Sequence, residues 1–169
     1  MTKVAFTGIN KKIGQICWNQ CKDFDRVNYS RSTGWNLDFT DRVDELLEEE
    51  FDIIVSIAKT NQYYLIQQFF EKYKYSMKRL IVFGSRASEW SGKQIPHHGM
   101  KYAIDKKSVY DAVRFIQNSE DRKCIVQILN VGKEDLIENT LAQHFKYVLE
   151  HPEIQEISLW GTQLINYIN

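Results

Sequence analysis

Short apolar runs alternate with longer helical stretches along nearly the whole chain. Four runs are continuous rather than alternating and are rich in β-branched residues: 3–7 (KVAFT), 52–58 (DIIVSIA), 79–84 (RLIVFG) and 123–129 (KCIVQIL). A continuous apolar run is typical of a strand buried on both faces, and the helices between such strands cover those faces. We therefore predict an α/β fold in which a doubly wound parallel sheet of about seven strands lies between two helical layers, in a single domain over 1–169.

The remaining elements follow from periodicity and turn residues. We predict strands at 26–30 and 156–160, a possible very short strand at 36–39, helices at 13–24, 40–50, 61–77, 102–117 and 136–150, and a polar loop at 85–101. Thr40 is the expected N-cap of its helix. The helix at 61–77 is apolar around much of its circumference, so it needs two burial surfaces, one of which could be a partner subunit.

The charge balance argues against nucleic-acid binding. Lys plus Arg and Asp plus Glu both number 22, whereas a protein that binds nucleic acid usually carries a basic excess. No apolar run is long enough to span a bilayer and no signal-peptide pattern opens the sequence, so we predict a cytoplasmic protein with no membrane partner. The three cysteines lack metal-ligand spacing, and we predict buried thiols and no metal site.

A glycine turn directly follows the first predicted strand. Gly8 and Gly14 bracket the segment that leads into the first helix. Ligands of doubly wound sheets bind outside the carboxyl ends of the strands, where such a turn lets backbone N–H groups and a helix N-terminus face a pyrophosphate. Alone this pattern is weak, because any strand-to-helix turn can use two glycines.

A second motif lies in the second half of the chain. Tyr102 and Lys106 are four residues apart, so both side chains lie on one face of the predicted helix. A lysine cation favours the phenolate of a nearby tyrosine, which suits the tyrosine to act as a general acid or base. A bare Tyr-x-x-x-Lys is common by chance, and standing alone it is more simply a solvated helix face.

In their order along the chain, these motifs resemble those of the short-chain dehydrogenase/reductase family, which has a Rossmann-like fold. The segment 7–14 (TGINKKIG) is similar to the family's Thr-Gly-x-x-x-Gly-Ile-Gly. Five further segments correspond to family features in the same order. The segment 38–41 (DFTD) resembles the family's segment beside the adenine ring, 52–59 takes the place of the family's strand that ends in Asn-Asn-Ala-Gly, and 60–61 that of the start of the next helix. The segment 80–85 resembles the family's strand that carries the catalytic serine, and 130–132 takes the place of its Pro-Gly segment.

The resemblance implies an oxidoreductase that interconverts a small carbonyl compound and an alcohol by hydride transfer with a nicotinamide dinucleotide. Tyr102 would be the proton donor, and Lys106 would hold the ribose and tune Tyr102. Ser85 would orient the substrate carbonyl, and Asn61 would anchor a proton-relay water. The cofactor-binding residues so implied are Thr7, Gly8, Asn10, Lys11, Lys12, Ile13, Gly14, Ser30, Arg31, Ser32, Asp38, Phe39, Ala58, Tyr102, Lys106, Val131 and Gly132. The helices at 61–77 and 102–117 resemble the pair that forms the family's dimer interface, which implies a homodimer.

The form of the cofactor can be argued from charge. NAD-binding domains tend to carry an acidic residue at the end of the second strand, which binds the ribose 2′-hydroxyl. Here that position is followed by Ser30, Arg31 and Ser32, with Lys11 in the glycine turn. These groups suit a 2′-phosphate, so we expect NADP(H) to be favoured over NAD(H).

The chain also departs from the family pattern. Lys12 stands where the middle glycine lets the backbone approach the pyrophosphate, and its side chain either points outward or obstructs the site. The segment 56–59 (SIAK) lacks the two asparagine side-chain amides of the family's Asn-Asn-Ala-Gly. The segment after Gly132 is too short for the usual substrate lid. Two alternatives therefore stay open: a non-catalytic dinucleotide-binding sensor or scaffold, and a truncated relative of the nucleotide-sugar-modifying branch.

Overall fold

The computed structural model describes residues 1–59, 61–85, 88, 97–132, 138–160 and 163–167. Over these residues the elements, in chain order, are β1 (Lys3–Thr7), α1 (Lys12–Gln20), β2 (Asp25–Tyr29), a short 3₁₀ turn (Arg31–Thr33), α2 (Thr40–Glu48), β3 (Ile53–Ser56), α3 (Gln62–Tyr73), β4 (Arg79–Ser85), α4 (His97–Gln117), β5 (Ile125–Val131), α5 (Glu138–Glu150), β6 (Glu156–Trp160) and β7 (Gln163–Tyr167).

The strands form one sheet in the order β2-β1-β3-β4-β5-β6-β7. The first six are parallel, and the chain reverses its direction of winding at β1. Helices α2, α3 and α4 cover one face, while α1 and α5 cover the other. This arrangement confirms the predicted doubly wound, Rossmann-like α/β/α architecture.

The central strands supply both halves of the core. In β4, Leu80 and Val82 belong to the cluster under α2, α3 and α4, whereas Ile81 and Phe83 belong to the cluster under α1 and α5. Successive strand residues point to opposite faces, so a strand covered on both sides has to be apolar at every position. The continuous apolar runs in the sequence therefore became the centre of the sheet.

Residues 36–39 do not form the short strand that the sequence suggested. The Asn36 carbonyl accepts a hydrogen bond from the Phe39 N–H at 3.2 Å, and its side-chain Oδ1 accepts one from the Asp38 N–H at 3.3 Å. Backbone donors satisfied in this local turn are not available for a sheet ladder. The chain then enters α2, where Phe39 is the N-cap and Thr40 is the first helical residue.

The sheet ends in a strand that the sequence analysis did not predict. β7 pairs antiparallel with β6, with Leu159 opposite Leu164. An antiparallel neighbour can be reached without a crossover helix. The alternation of strands and helices in the sequence therefore could not predict β7.

Several helices end or begin at other residues than predicted: α1 ends at Gln20 rather than at 24, and α3 ends at Tyr73 rather than at 77. α4 begins at His97, five residues before the predicted start, which shortens the expected polar loop; residues 86–87 and 89–96 of that loop lie outside the described part. α3 buries Leu65, Ile66 and Phe69 within its own chain, yet Tyr63 is 52% exposed. No helix within the described ranges combines the length and the apolarity needed to cross a bilayer.

Candidate functional site

The turn between β1 and α1 is packed tightly against the segment that follows β3. The Thr7 hydroxyl accepts hydrogen bonds from the N–H groups of Ile57 and Ala58 at 3.3 and 3.4 Å. Gly8 has a φ of +82°, and a Cβ there would lie 2.8 Å from the Ala58 nitrogen. Only a glycine fits both the backbone conformation and the space.

The same turn presents the start of α1 to the carboxyl edge of the sheet. A Cβ on Gly14 would lie 2.4 Å from the Ile9 Cα, so this glycine lets the helix pack against the turn. Lys11 is the N-cap, no side chain caps the helix, and no acidic residue lies in its first turn. The N–H groups of a helix start without such a cap form a ready site for a phosphate.

Lys12 points outward, which decides between the two orientations left open by the sequence. Its Nζ lies 2.8 Å from the Glu138 carboxylate of α5, and its side chain is 64% exposed. The side chain therefore leaves the turn uncovered. The neighbouring Ile13 is packed against the α1/α5 core.

The end of β2 is tied to the glycine turn through Asn10. The Ser32 hydroxyl donates to the Asn10 Oδ1 at 3.0 Å, and the Ser30 and Ser32 hydroxyls are 2.8 Å apart. Arg31 lies beside them, and its guanidinium contacts the Asp38 carboxylate at 2.6 Å. The predicted cofactor residues from β1 and β2 are thus brought together, with Arg31 held by a carboxylate.

Lys106 is anchored in a buried polar network rather than exposed on the helix face. Its Nζ donates to the Gln62 Oε1 and, at 3.2 Å, to the Phe83 carbonyl. The Gln62 amide donates in turn to the Ser56 carbonyl at 3.0 Å and to the Phe83 carbonyl at 3.3 Å. Lys106 is only 4% exposed and Gln62 only 3%. The network joins α3, α4 and the carboxyl ends of β3 and β4.

The environment of Lys106 disfavours its charged form. Burial, reinforced by the positive charge of Lys59 and opposed by Asp105, lowers the pKa of Lys106 from 10.5 to about 8. The ammonium of Lys106 lies 5.8 Å from the centroid of the Tyr102 ring, and that of Lys59 lies 5.9 Å from it. Tyr102 is therefore flanked by two lysines, of which the sequence had pointed to one.

The other predicted catalytic residues lie around this network. Ser85 ends β4, two residues beyond Phe83, and pairs in register with Val131 of β5. Gly132 follows β5 at the same edge. Asn61 precedes Gln62 with a φ of +56°, and its side-chain amide donates to the Leu37 carbonyl at 2.9 Å. That bond ties α3 to the segment before α2, which is a different use of the amide from the expected water relay.

A groove of about 470 Å³ opens between the start of α3 and the middle of α4. Its lining residues are Asp38, Lys59, Asn61, Gln62, Tyr63, Lys101, Asp105, Lys106, Ser108 and Val109. Another hollow lies near the amino end of β3, but Trp35 and four glutamates line it. That acidic lining would repel the phosphates of a dinucleotide, so the groove beside Lys106 is the better candidate site.

Several residues of the site were missed by sequence reasoning, among them Gln62, Lys59 and Lys101. Gln62 looked like an ordinary polar residue at the start of a helix, and only the fold brings it to Lys106. Lys59 had a sequence signal, because it stands where the family pattern has a glycine. Within the described ranges, no three His, Cys, Asp or Glu residues are grouped so that they could hold a metal ion.

The close contact between Gly8 and Ala58 predicts a measurable stability difference. Gly34 has the same backbone conformation, with a φ of +83°, but nothing lies within 4 Å of the Cβ it would carry. Gly34→Ala should cost about 1 kcal/mol in the free energy of unfolding, because only backbone strain is added. Gly8→Ala should cost about 1–3 kcal/mol more, because it also overpacks against Ala58. Urea unfolding measures both, and equal losses would contradict the packing of this turn.

The buried Lys106 predicts a pH-dependent stability. Between pH 8 and 10.5 the unfolded chain keeps the lysine proton that the folded chain has lost. The free energy of unfolding should therefore rise with pH across this range, by up to about 3 kcal/mol relative to Lys106→Met, which cannot titrate there. Below pH 8 both states are protonated and the difference should be constant. A difference between the two proteins that stays flat from pH 7 to 10.5 would show that Lys106 is not buried as described.

Sequence comparisons find no relative. No protein-family model matches the chain, and a search of the curated proteins gives no match.

Comparison with solved structures does find neighbours. A short-chain dehydrogenase/reductase from Vibrio parahaemolyticus superposes with a TM-score of 0.65 at 11% identity, covering 92% of this chain and 98% of the other. An oxidoreductase of that family from Brucella ovis, in complex with a partially ordered NAD, gives a TM-score of 0.68 at 14% identity over 94% and 99% of the two chains.

A dTDP-4-dehydrorhamnose reductase from Clostridium acetobutylicum gives a TM-score of 0.67 at 10% identity, covering 98% of this chain and 76% of the other. At these identities the comparisons concern the fold. The resemblance noted in the sequence is therefore confirmed at that level: this chain has the fold of the short-chain dehydrogenase/reductases.

Proposed function

We propose that this protein is an NADP(H)-dependent oxidoreductase that interconverts a small carbonyl compound and an alcohol. The observation that carries the proposal is the position of Tyr102, with the ammonium groups of Lys59 and Lys106 within 6 Å of its ring. Ala58, which directly precedes Lys59, is in contact with Gly8 of the glycine turn. A tyrosine beside two cations thus lies next to a turn suited to a dinucleotide.

The residues present fit a nicotinamide dinucleotide. The backbone N–H groups at the start of α1 would bind its pyrophosphate, because Gly8 and Gly14 leave the turn compact and Lys12 points away. Ser30, Arg31 and Ser32 would contact the adenosine ribose end. When bound in its reduced form, the cofactor supplies a hydride to the carbonyl carbon.

The chain's own residues would manage the carbonyl oxygen. Ser85 would donate a hydrogen bond to this oxygen, and the Tyr102 hydroxyl would donate the proton that completes the alcohol. The tyrosinate left behind would be stabilised by the cations of Lys59 and Lys106. In the reverse direction the tyrosinate would accept the proton from the alcohol.

Replacement of Tyr102 tests this chemistry. Tyr102→Phe should lower kcat for NADPH-dependent reduction of aldehydes and ketones by about 10²–10⁴-fold, because the proton donor is lost. Its Kd for NADPH should rise by about tenfold at most, because at most one hydrogen bond to the cofactor is lost. Tyr110→Phe is the matched control, since Tyr110 lies on the same helix but its hydroxyl bonds Glu156. Both rates are followed as NADPH oxidation over a panel of carbonyl compounds. Turnover by Tyr102→Phe equal to that of the parent protein would overturn the assignment.

NADP(H) is proposed over NAD(H) because no carboxylate ends β2. The last residue of β2 is Tyr29, and Arg31 follows it in the 3₁₀ turn. Asp38 binds the guanidinium at 2.6 Å and would compete with a 2′-phosphate for it. The Arg31–Asp38 pair would therefore determine how strongly the protein prefers NADP(H) over NAD(H).

Substitutions of this pair should move the cofactor preference in opposite directions. Arg31→Gln should weaken NADPH binding by about tenfold or more and leave NADH binding nearly unchanged, because a charged hydrogen bond to the phosphate is lost. Asp38→Asn should tighten NADPH binding, because it frees the guanidinium. Fluorescence titration of each variant with both cofactors gives the four Kd values. A parent protein that prefers NADH, or an Arg31→Gln variant with an unchanged ratio, would contradict the proposal.

We also propose a homodimer and a cytoplasmic location. Tyr63 on α3 and Ile104 and Phe115 on α4 are 52%, 58% and 72% exposed, which leaves apolar surface on the two helices expected to form an interface. The cysteines Cys17, Cys21 and Cys124 are free and buried, as is usual in a reducing compartment.

A non-catalytic dinucleotide sensor is the second candidate. The observation that favours it is the use of the expected relay groups for structure: Asn61 bonds the Leu37 carbonyl and Lys106 bonds Gln62. A sensor would bind NADPH saturably and turn over no member of the carbonyl panel. An oxidoreductase would bind NADPH saturably and also reduce members of the panel.

A further inference from the structure

We propose that the substrate carries an acidic group, a carboxylate or a phosphate, which binds Lys59 and Lys101 in the groove beside Tyr102. This inference rests on the proposed oxidoreductase function and specifies the class of carbonyl compound that the site accepts.

The first support is the balance of charge around the groove. Three lysines line it, Lys59, Lys101 and Lys106, against two carboxylates. One of these carboxylates, Asp38, already forms an ion pair with Arg31 at 2.6 Å. Among the described residues of the lining, Asp105 is then the single remaining acidic side chain, so these residues together carry a net positive charge.

The second support is that the described part of the chain supplies no carboxylate partner for the two outer lysines, Lys59 and Lys101. Among the residues that the structure describes, neither Lys59 nor Lys101 forms an ion pair with a carboxylate. By contrast, Lys107, which lies on α4 together with Lys101, pairs with Asp111. Lys59 is exposed and stands close enough to Lys106 for its charge to help lower the pKa of that buried group. The electrostatic repulsion between lysines that surround one groove is offset when an anion binds between them.

The start of α3 adds to the same field. Asn61 and Gln62 line the groove at the helix N-terminus, which has no side-chain cap and no acidic residue in its first turn. The positive end of a helix dipole favours a nearby anion. The lysines, the helix start and the flanked Tyr102 therefore define a site in which an acidic group is held beside the reacting carbonyl.

The proposal predicts a preference that depends on charge. The panel consists of oxo acids with their methyl esters, and of phosphorylated aldehydes with their unphosphorylated forms, so that each pair differs in charge. With the parent protein and NADPH, one charged series should exceed its neutral partners in kcat/KM by about tenfold or more. The series that shows the preference identifies the acidic group as carboxylate or phosphate.

Substitution of Lys59 should remove this preference. Lys59→Gln should lower kcat/KM for both kinds of compound, because it also removes a cation near Tyr102. The loss should be larger for the charged compounds, so that their kcat/KM falls to that of their neutral partners. Lys107→Gln, which alters a lysine outside the groove, should leave both unchanged. Survival of the full preference in Lys59→Gln, or preference of the parent protein for neutral compounds, would overturn the proposal. A weaker Kd for NADPH in Lys59→Gln, with the substrate preference intact, would assign this lysine to the cofactor instead.

A binding measurement separates this proposal from the function itself. In NMR spectra of the NADPH-saturated protein, the ¹³Cε signals of Lys59 and Lys101 should shift saturably on addition of the preferred acid series and not on addition of the neutral partners. If no compound is turned over but these shifts occur, the proposed oxidoreductase function fails and the anion site stands. If neither acid series shifts the signals, the anion site is excluded.

Discussion

A buried ammonium group at the carboxyl edge of the sheet determines the geometry of the candidate site. Lys106 is almost completely removed from water, and a charge in that position is tolerated only when hydrogen bonds replace its hydration. Gln62 and the Phe83 carbonyl supply those bonds. Because Gln62 also binds the end of β3, the network fixes α3, α4 and two central strands relative to one another. Tyr102, one helical turn before Lys106, takes its position from this anchor.

The glycine turn is the second fixed point, and it is connected to the first. Thr7 and Gly8 pack against Ala58, and the next residue, Lys59, reaches the Tyr102 ring. The half of the site suited to phosphates and the half suited to proton transfer therefore meet along the short segment after β3. This segment departs most from the family pattern in sequence, and here it carries a lysine that the pattern lacks.

The sequence predicted the parts of the structure that depend on local pattern. Continuous apolar runs gave the central strands, and their alternation with helices gave the parallel sheet. The apolar pattern could not predict the turn at residues 36–39, because that turn depends on hydrogen bonds of Asn36. It also could not predict β7, because the antiparallel pairing of β7 with β6 has no periodic pattern in the sequence. At the site, the spacing of Tyr102 and Lys106 correctly predicted that the two residues lie on one helix. It could not show that Lys106 turns inward, because its partner Gln62 is 44 residues away in the chain.

The most direct test of the central claim is a titration of ¹⁵N-labelled protein with NADPH, followed by amide chemical shifts. If the turn after β1 and the start of α1 bind the cofactor phosphates, the amides of Gly8 to Gly14 and of Ser30 to Ser32 should shift saturably, together with those near Tyr102. Saturable binding that shifts amides elsewhere, or no binding by the folded protein, would contradict a dinucleotide site at this edge of the sheet.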